Sequence, residues 1–249
     1  MMIDINKIVE VIENFAPLES AEVWDNSGWQ INLGIREAKK ILLALSLTPK
    51  ILKQAIEQEC DFVITHHPLI FSPFKKIEYE TVTQKLMVEC IKNNIQVYCA
   101  HTNLDVASGG LNDTLAEKLG LVPNLTVDNF VKIAQYSEAL SLDDFILKLK
   151  IALNCQKLKV INPANIQQIR TVAMCSGSGG DFIPKLKDID LFVTGDVKYH
   201  SALDVENMVV IDAGHFETEK IILQTLKNLL QPYAQDIVIA KETEPWVFV

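Results

Sequence analysis

Apolar positions run along this chain with two alternating periods. Residues 4 to 16 place Ile5, Ile8, Val9, Ile12 and Phe15 at helical spacing, between a capping Asp4 and a terminating Pro17. From residue 41 the pattern changes to short continuous apolar runs. Residues 41 to 47, 61 to 65 and 95 to 100 predict strands buried on both faces. Between the first two, Thr48 caps and Pro49 opens a helix to about residue 59. Between the second and third, helical spacing spans about 80 to 93. Gly109-Gly110 then breaks the chain, and a helix from about 111 to 119 closes at Gly120.

The middle, residues 121 to 168, is less patterned. It predicts a helix over about 142 to 153, capped by Ser141 or Asp143, and a short strand at 158 to 161 before Pro163. At residue 169 the opening pattern returns. Strands are expected at 169 to 175, 190 to 194 and 208 to 212, with helices at about 181 to 187, through His200 to Val205, and at 216 to 230. A last strand begins at Ile237.

The return is a weak internal duplication. Asp61-Phe62-Val63-Ile64-Thr65 echoes Asp190-Leu191-Phe192-Val193-Thr194, and residues 95 to 100 before His101 echo residues 209 to 214 before His215. Strands that alternate with helices imply largely parallel sheets with crossover connections. The fold class is therefore α/β: two related halves, mostly parallel strands and flanking helices. We divide them at 1–125 and 126–249 and expect them to pack as one unit around a shared site. No low-complexity linker marks a hinge.

Composition narrows the function classes. The 249 residues are 49% hydrophobic, enough for a substantial core, and the net charge is -9. That balance argues against a nucleic-acid backbone or an anionic membrane as the main partner, since both require clustered Lys and Arg. No apolar run approaches the ~20 residues of a membrane helix. The start lacks a signal-peptide layout. The five cysteines form no CxxC pair and sit in or beside apolar runs, as reduced buried thiols of a cytoplasmic protein do.

Candidate chemistry gathers at strand ends, where open α/β sheets hold functional groups. All five histidines, His66, His67, His101, His200 and His215, lie at or soon after an apolar strand-type run. Pro68 stops the strand that delivers His66-His67. Three clusters result: His66 with His67, His101 with Asp105, and His215 with Glu219. His215 and Glu219 are four residues apart at a helix start and share a face, whereas Glu217 points about 160° from Glu219. Imidazole with carboxylate and no thiolate suits zinc, iron, manganese or nickel. The five groups His66, His67, Asp105, His215 and Glu219 exceed what one catalytic metal needs and suit two divalent ions.

Two further segments stand out. Trp24-Asp25-Asn26-Ser27-Gly28-Trp29-Gln30 is turn-rich with two large aromatics, and a tryptophan packing the loop onto the core is its simplest reading. Ser176-Gly177-Ser178-Gly179-Gly180 lies between strand and helix, where N–H groups could cradle an anion or merely form a tight turn.

Several motifs in order carry a resemblance. These are Trp24-Asp25-Asn26-Ser27-Gly28, Thr65-His66-His67-Pro68-Leu69-Ile70-Phe71, Ala100-His101-Thr102-Asn103-Leu104-Asp105, Gly195-Asp196-Val197-Lys198-Tyr199-His200, and Asp212-Ala213-Gly214-His215-Phe216-Glu217-Thr218-Glu219. Together they resemble the GTP cyclohydrolase 1 type 2 homologue family, also called Nif-three-like metalloproteins. The resemblance implies a three-layer α/β fold, a two-metal centre and a toroidal homohexamer. It puts the family's ligands on His66, His67, Asp105, His215 and Glu219, the set the spacing also selects. Two departures are visible. Residues 121 to 168 are too few for the inserted central domain of many relatives, and Ser46 stands where relatives often have Asp. The expected activity is that of a metal-dependent hydrolase acting on a small, nucleotide-like substrate, with His101 and His200 as acid/base candidates. The alternative is a non-catalytic metal-binding, metal-delivery or regulatory scaffold.

Overall fold

A computed structural model describes residues 2–247. The chain divides into two compact units. One joins the residues up to Ser108 with those from Leu223 on, and the other is Gly109–Ile222. The expected division at 125/126 therefore falls inside the second unit. The residues from Leu223 on belong to the first unit because of strand pairing. Strand Ile237–Ile239 pairs in parallel with Ile41–Leu43, so the C-terminal segment completes the first sheet.

In the first unit, helix Ile5–Phe15 starts where the Asp4 carboxylate accepts the N–H groups of Asn6 and Lys7. Its apolar stripe, Ile5, Ile8 and Ile12, is fully buried. The sheet runs in the order Ile237–Ile239, Ile41–Ala44, Phe62–Thr65, Gln96–Cys99, Gly28–Ile31, parallel except for the last, antiparallel edge. The three inner strands are buried at every residue, as their unbroken apolar runs require. Helices Pro49–Glu57 and Val82–Lys92 form the crossovers, and each begins at a threonine whose hydroxyl accepts a first-turn N–H, Thr48 from Ile51 and Thr81 from Gln84.

Register determines what leaves this sheet. Ala44, Thr65 and Cys99 lie level across the three inner strands. The next residues continue the ladder, through His66 N–H to Ala44 O, His67 N–H to Leu45 O and Ala100 N–H to Thr65 O. Leu45-Ser46, His66-His67 and Ala100-His101 thus emerge side by side at one edge.

The second unit repeats this core. Its sheet runs Leu125–Val127, Val131–Ser141, Gln168–Ser178, Leu191–Gly195, Val209–Asp212, Lys159–Ile161. The inner three of these, from Gln168 to Asp212, are parallel, and antiparallel strands extend both sides. The duplication extends to side chains. Asp61 accepts the N–H groups of Lys39 and Lys40 at the entry to its sheet, and Asp190 accepts those of Arg170 and Thr171. Ala213 N–H donates to Thr194 O just as Ala100 N–H donates to Thr65 O.

Two local expectations change. Strand Val131–Ser141 lies in the stretch that looked unpatterned, because inward alternation holds only over its first half and its remainder is mostly exposed. The helix expected over 216 to 230 is two helices, His215–Glu219 and Ile222–Leu230. Asp105 is on a short helix, Thr102–Val106. All five cysteines are buried thiols, as expected. No helix among the described residues is long and apolar enough to cross a membrane.

Candidate metal centre

In the first unit, the edge described above brings His66, His67 and His101 together. Ring centroids lie 5.0 Å (His66–His67), 5.3 Å (His66–His101) and 5.6 Å (His67–His101) apart. One nitrogen from each ring falls within 4.8 Å of the others. Asp105 joins them, its Oδ1 3.5 Å from His66 Nε2. His66 is fully buried. This is a donor set of hard oxygen and borderline nitrogen, which fits a divalent transition ion.

The Nδ1 atoms show how the rings are aimed. His66 Nδ1 meets Ala100 O at 2.9 Å, His67 Nδ1 meets Ser46 Oγ at 2.7 Å, and His101 Nδ1 meets Asp25 Oδ1 at 2.7 Å. A ring tied through Nδ1 presents Nε2, the arrangement by which metal-ligating histidines are oriented. Ser46 is itself placed by Glu242. The Glu242 carboxylate accepts the N–H of Leu45 at 2.7 Å and of Ser46 at 3.1 Å, and burial pushes its pKa up against those two bonds.

Asp25 anchors the His101 side. Its side chain has no solvent exposure. It accepts hydrogen bonds from Thr102 N–H, Thr102 Oγ1 and Ser27 Oγ besides facing His101. Burial opposes its charge, but the bonds from His101, Thr102 and Ser27 outweigh that and hold the carboxyl well below the usual range. Asn103, also buried, accepts from His101 N–H, lies 2.9 Å by its Oδ1 from Ser27 Oγ and donates to Ala16 O. The turn from His101 to Asp105 is thus ordered by Asp25 and Asn103. The two tryptophans of the neighbouring loop divide in role. Trp29 packs on Phe62 and Tyr98, whereas Trp24 is 58% exposed and sets its ring edge-on to His101 at 6.2 Å.

In the second unit, His215 opens its helix after Gly214, whose φ of +89° suits glycine. Its Nε2 lies 3.0 Å from Glu219 Oε1, and its Nδ1 lies 2.8 Å from Asp196 Oδ2. Burial disfavours the imidazolium, yet the carboxylates of Glu219 and Asp196 on either side raise its pKa to about 9. Asp196 reaches the ring from a left-handed backbone, φ +52°. Glu219 is 4% exposed, while Glu217 pairs with Lys220, as the helical phase predicts. Asp212 ties the neighbouring turns, accepting from Gly214 N–H and Val197 N–H and pairing with Lys159. Two carboxylates thus flank one imidazole, one at each ring nitrogen.

The glycine-rich turn is not an anion cradle. Ser176 N–H donates to Asn112 Oδ1, Gly177 N–H to Thr218 Oγ1 and Gly179 N–H to Thr194 Oγ1, so those donors are engaged within the protein. Its tightness serves Glu219 instead, since a Cβ at Gly177 would lie 2.3 Å from Glu219 Oε1. His200 is exposed on helix Tyr199–Leu203 with its ring against Tyr199. The positioning residues Asp25, Asp196 and Glu242 were not singled out by spacing. Asp25 and Asp196 do stand inside quoted motifs, but Glu242 gave no signal.

Comparison with known proteins gives one consistent result. The family model described as Duf34/NIF3 (NGG1p interacting factor 3) matches residues 3–245. A Clostridium perfringens protein named GTP cyclohydrolase 1 type 2 homolog is 32% identical, covering 98% of this chain and 99% of its own length. A Helicobacter pylori protein named GTP cyclohydrolase 1 type 2 is 30% identical, with 97% of each chain covered. Among solved structures, reduced HcgD from Methanocaldococcus jannaschii matches with a TM-score of 0.85 at 30% identity, over 96% of this chain and 98% of that one.

Proposed function

Because the chain belongs to the Duf34/NIF3 family, we propose that it is a dinuclear metalloprotein that hydrolyses a small, nucleotide-like substrate. The ligands are His66, His67, Asp105, His215 and Glu219. One observation carries the reading. Each of the imidazoles His66, His67, His101 and His215 is tied through Nδ1 to a main-chain carbonyl, a hydroxyl or a carboxylate, the support that ligating histidines receive. The names of relatives, GTP cyclohydrolase 1 type 2 and its homologs, favour a nucleotide-like substrate.

The metals supply Lewis acidity toward water and toward the substrate. The protein supplies the rest. Asp25 holds His101 by Nδ1, so proton exchange falls to Nε2. His200 is the second acid/base candidate. Asp105 and Glu219 bring negative charge that offsets the cations.

Elemental analysis of protein purified without chelator tests the centre, with about two divalent transition ions per chain expected. The double variant His66→Ala/His215→Ala should lose them, and full metal content in that variant overturns the ligand assignment. His101→Gln should keep both ions yet lose about 10²–10⁴-fold of any hydrolytic rate found in a nucleotide panel. Unchanged turnover there removes His101 from the chemistry.

A further inference from the structure

The loop from Trp24 to Gln30 carries two tryptophans, and one of them is enough to pack it. Trp29 sits against Phe62 and Tyr98, with ring centroids 5.8 Å and 5.4 Å away. Trp24 stands elsewhere, beside Phe71. The two residues are each 58% exposed, and their ring centroids lie 6.0 Å apart at an inclination of 49°. Rings of this size are usually withdrawn from water, so two left open side by side mark a contact surface.

Both rings stand on main chain that is fastened in place. Glu22 N–H donates to Thr102 Oγ1 at 3.0 Å, Asp25 N–H donates to Glu22 O at 2.9 Å, and Asp25 accepts from Thr102. The turn bearing Trp24 is therefore tied at both ends to the residue after His101. Ile70 N–H donates to Gln30 Oε1 at 2.9 Å, and Ile70 O accepts from Asn26 Nδ2 at 2.6 Å, which ties Phe71 to the same loop. Phe74, three residues on, packs against the core. A ligand would thus meet rings whose backbone is already ordered.

The pair borders the candidate metal centre. Trp24 sets its ring edge-on to His101 at 6.2 Å, and its neighbour Asp25 holds His101 Nδ1. Neither ring carries charge, so this surface suits the base of a nucleotide and not its phosphates. Every base has a π-face to lay on such rings.

We propose that Trp24 and Phe71 form the platform on which the base of a nucleotide-like substrate stacks, presenting the rest of that substrate to the histidine cluster. The inference rests on the hydrolytic reading above and adds to it the residues that select an aromatic base.

Binding of GMP, AMP and ribose 5-phosphate to the metal-loaded protein tests it, by calorimetry and by quenching of tryptophan fluorescence. Wild type should bind both nucleotides at least about tenfold more tightly than ribose 5-phosphate. Trp24→Ala should weaken the nucleotides by about 10–100-fold and leave ribose 5-phosphate within about twofold, and Phe71→Ala should weaken them by about 5–50-fold. Trp24→Phe keeps a ring, so it should bind within about fivefold of wild type yet lose most of the quenching, whereas Trp29→Phe should retain the quenching. Nucleotides that bind no better than ribose 5-phosphate, or a Trp24→Ala variant that keeps the preference, overturn this inference alone. So does a Trp24→Ala/Phe71→Ala variant that light scattering finds dissociated relative to wild type, since the pair is then an interface between copies. Failure of all three probes to bind wild type overturns the nucleotide-like reading and this inference with it.

Discussion

Gly177→Ala is the substitution whose consequence the structure states most directly. Gly177 has φ +65°, where a side chain costs about 1–2 kcal/mol. The added Cβ would also lie 2.3 Å from Glu219 Oε1, about 1 Å short of ordinary contact. Glu219 is 4% exposed and pairs with His215 at 3.0 Å. Its carboxylate can retreat only by leaving that pair, which costs a further ~1–3 kcal/mol for a buried charged group losing its partner. The two effects together should lower Tm of the metal-free protein by about 5–15 °C. Gly34→Ala separates them, because Gly34 has φ +73° but nothing within 4 Å of its Cβ position. That control should show the backbone cost alone, and any entropy gain in the unfolded chain is common to both. Differential scanning calorimetry gives the stabilities, and competition with a chromophoric chelator gives metal affinity. Gly177→Ala should bind at least tenfold more weakly than Gly34→Ala. Equal Tm losses and equal affinities in the two variants refute the claim that this glycine exists to make room for Glu219.

Other outcomes follow from the same geometry. Asp25→Asn replaces a fully buried acceptor of bonds from His101, Thr102 and Ser27, and should cost about 1–3 kcal/mol in urea denaturation; a stability equal to wild type contradicts the anchoring role. His215 has a folded pKa raised to about 9 from 6.5, so in metal-free protein its contribution is complete below pH 6.5 and is lost as pH rises through 9. Urea titrations should show wild type losing up to about 3 kcal/mol over that window relative to His215→Gln, and a gain instead would reverse the sign we assign. We expect a homohexamer, so light scattering that finds a stable monomer at micromolar concentration rules that assembly out.

The gathering of the candidate side chains at strand ends was legible because it is local. Continuous apolar runs make buried strands, Pro68 stops one of them, and the residues that follow must emerge at the strand's carboxyl end. That alone places His66-His67 and His101. His215 and Glu219 are joined by helical phase, which any four-residue spacing on a helix delivers. The duplication was legible for the same reason, since each repeated strand carries its own apolar run, and the matching contacts of Asp61 and Asp190 follow from it.

What supports those side chains was decided elsewhere. Asp25 meets His101 across 76 residues, Ser46 meets His67 across 21, and Glu242 reaches Leu45 across 197. Such pairs depend on strand register and on which edge a returning segment joins, and neither is encoded in any short window. The glycine-rich turn illustrates the difference. Its N–H groups look available in sequence, and only the approach of Asn112, Thr194 and Thr218 shows that they are used. Strand Val131–Ser141 stayed hidden because its hydrogen-bonding partner, Gln168–Ser178, defines it more than its own weak alternation does. The sequence determined which chemical groups reach the strand ends, because burial periodicity is a property of each segment. The tertiary structure decided how each imidazole is held, because a hydrogen bond between distant segments exists only once the sheet has set their register.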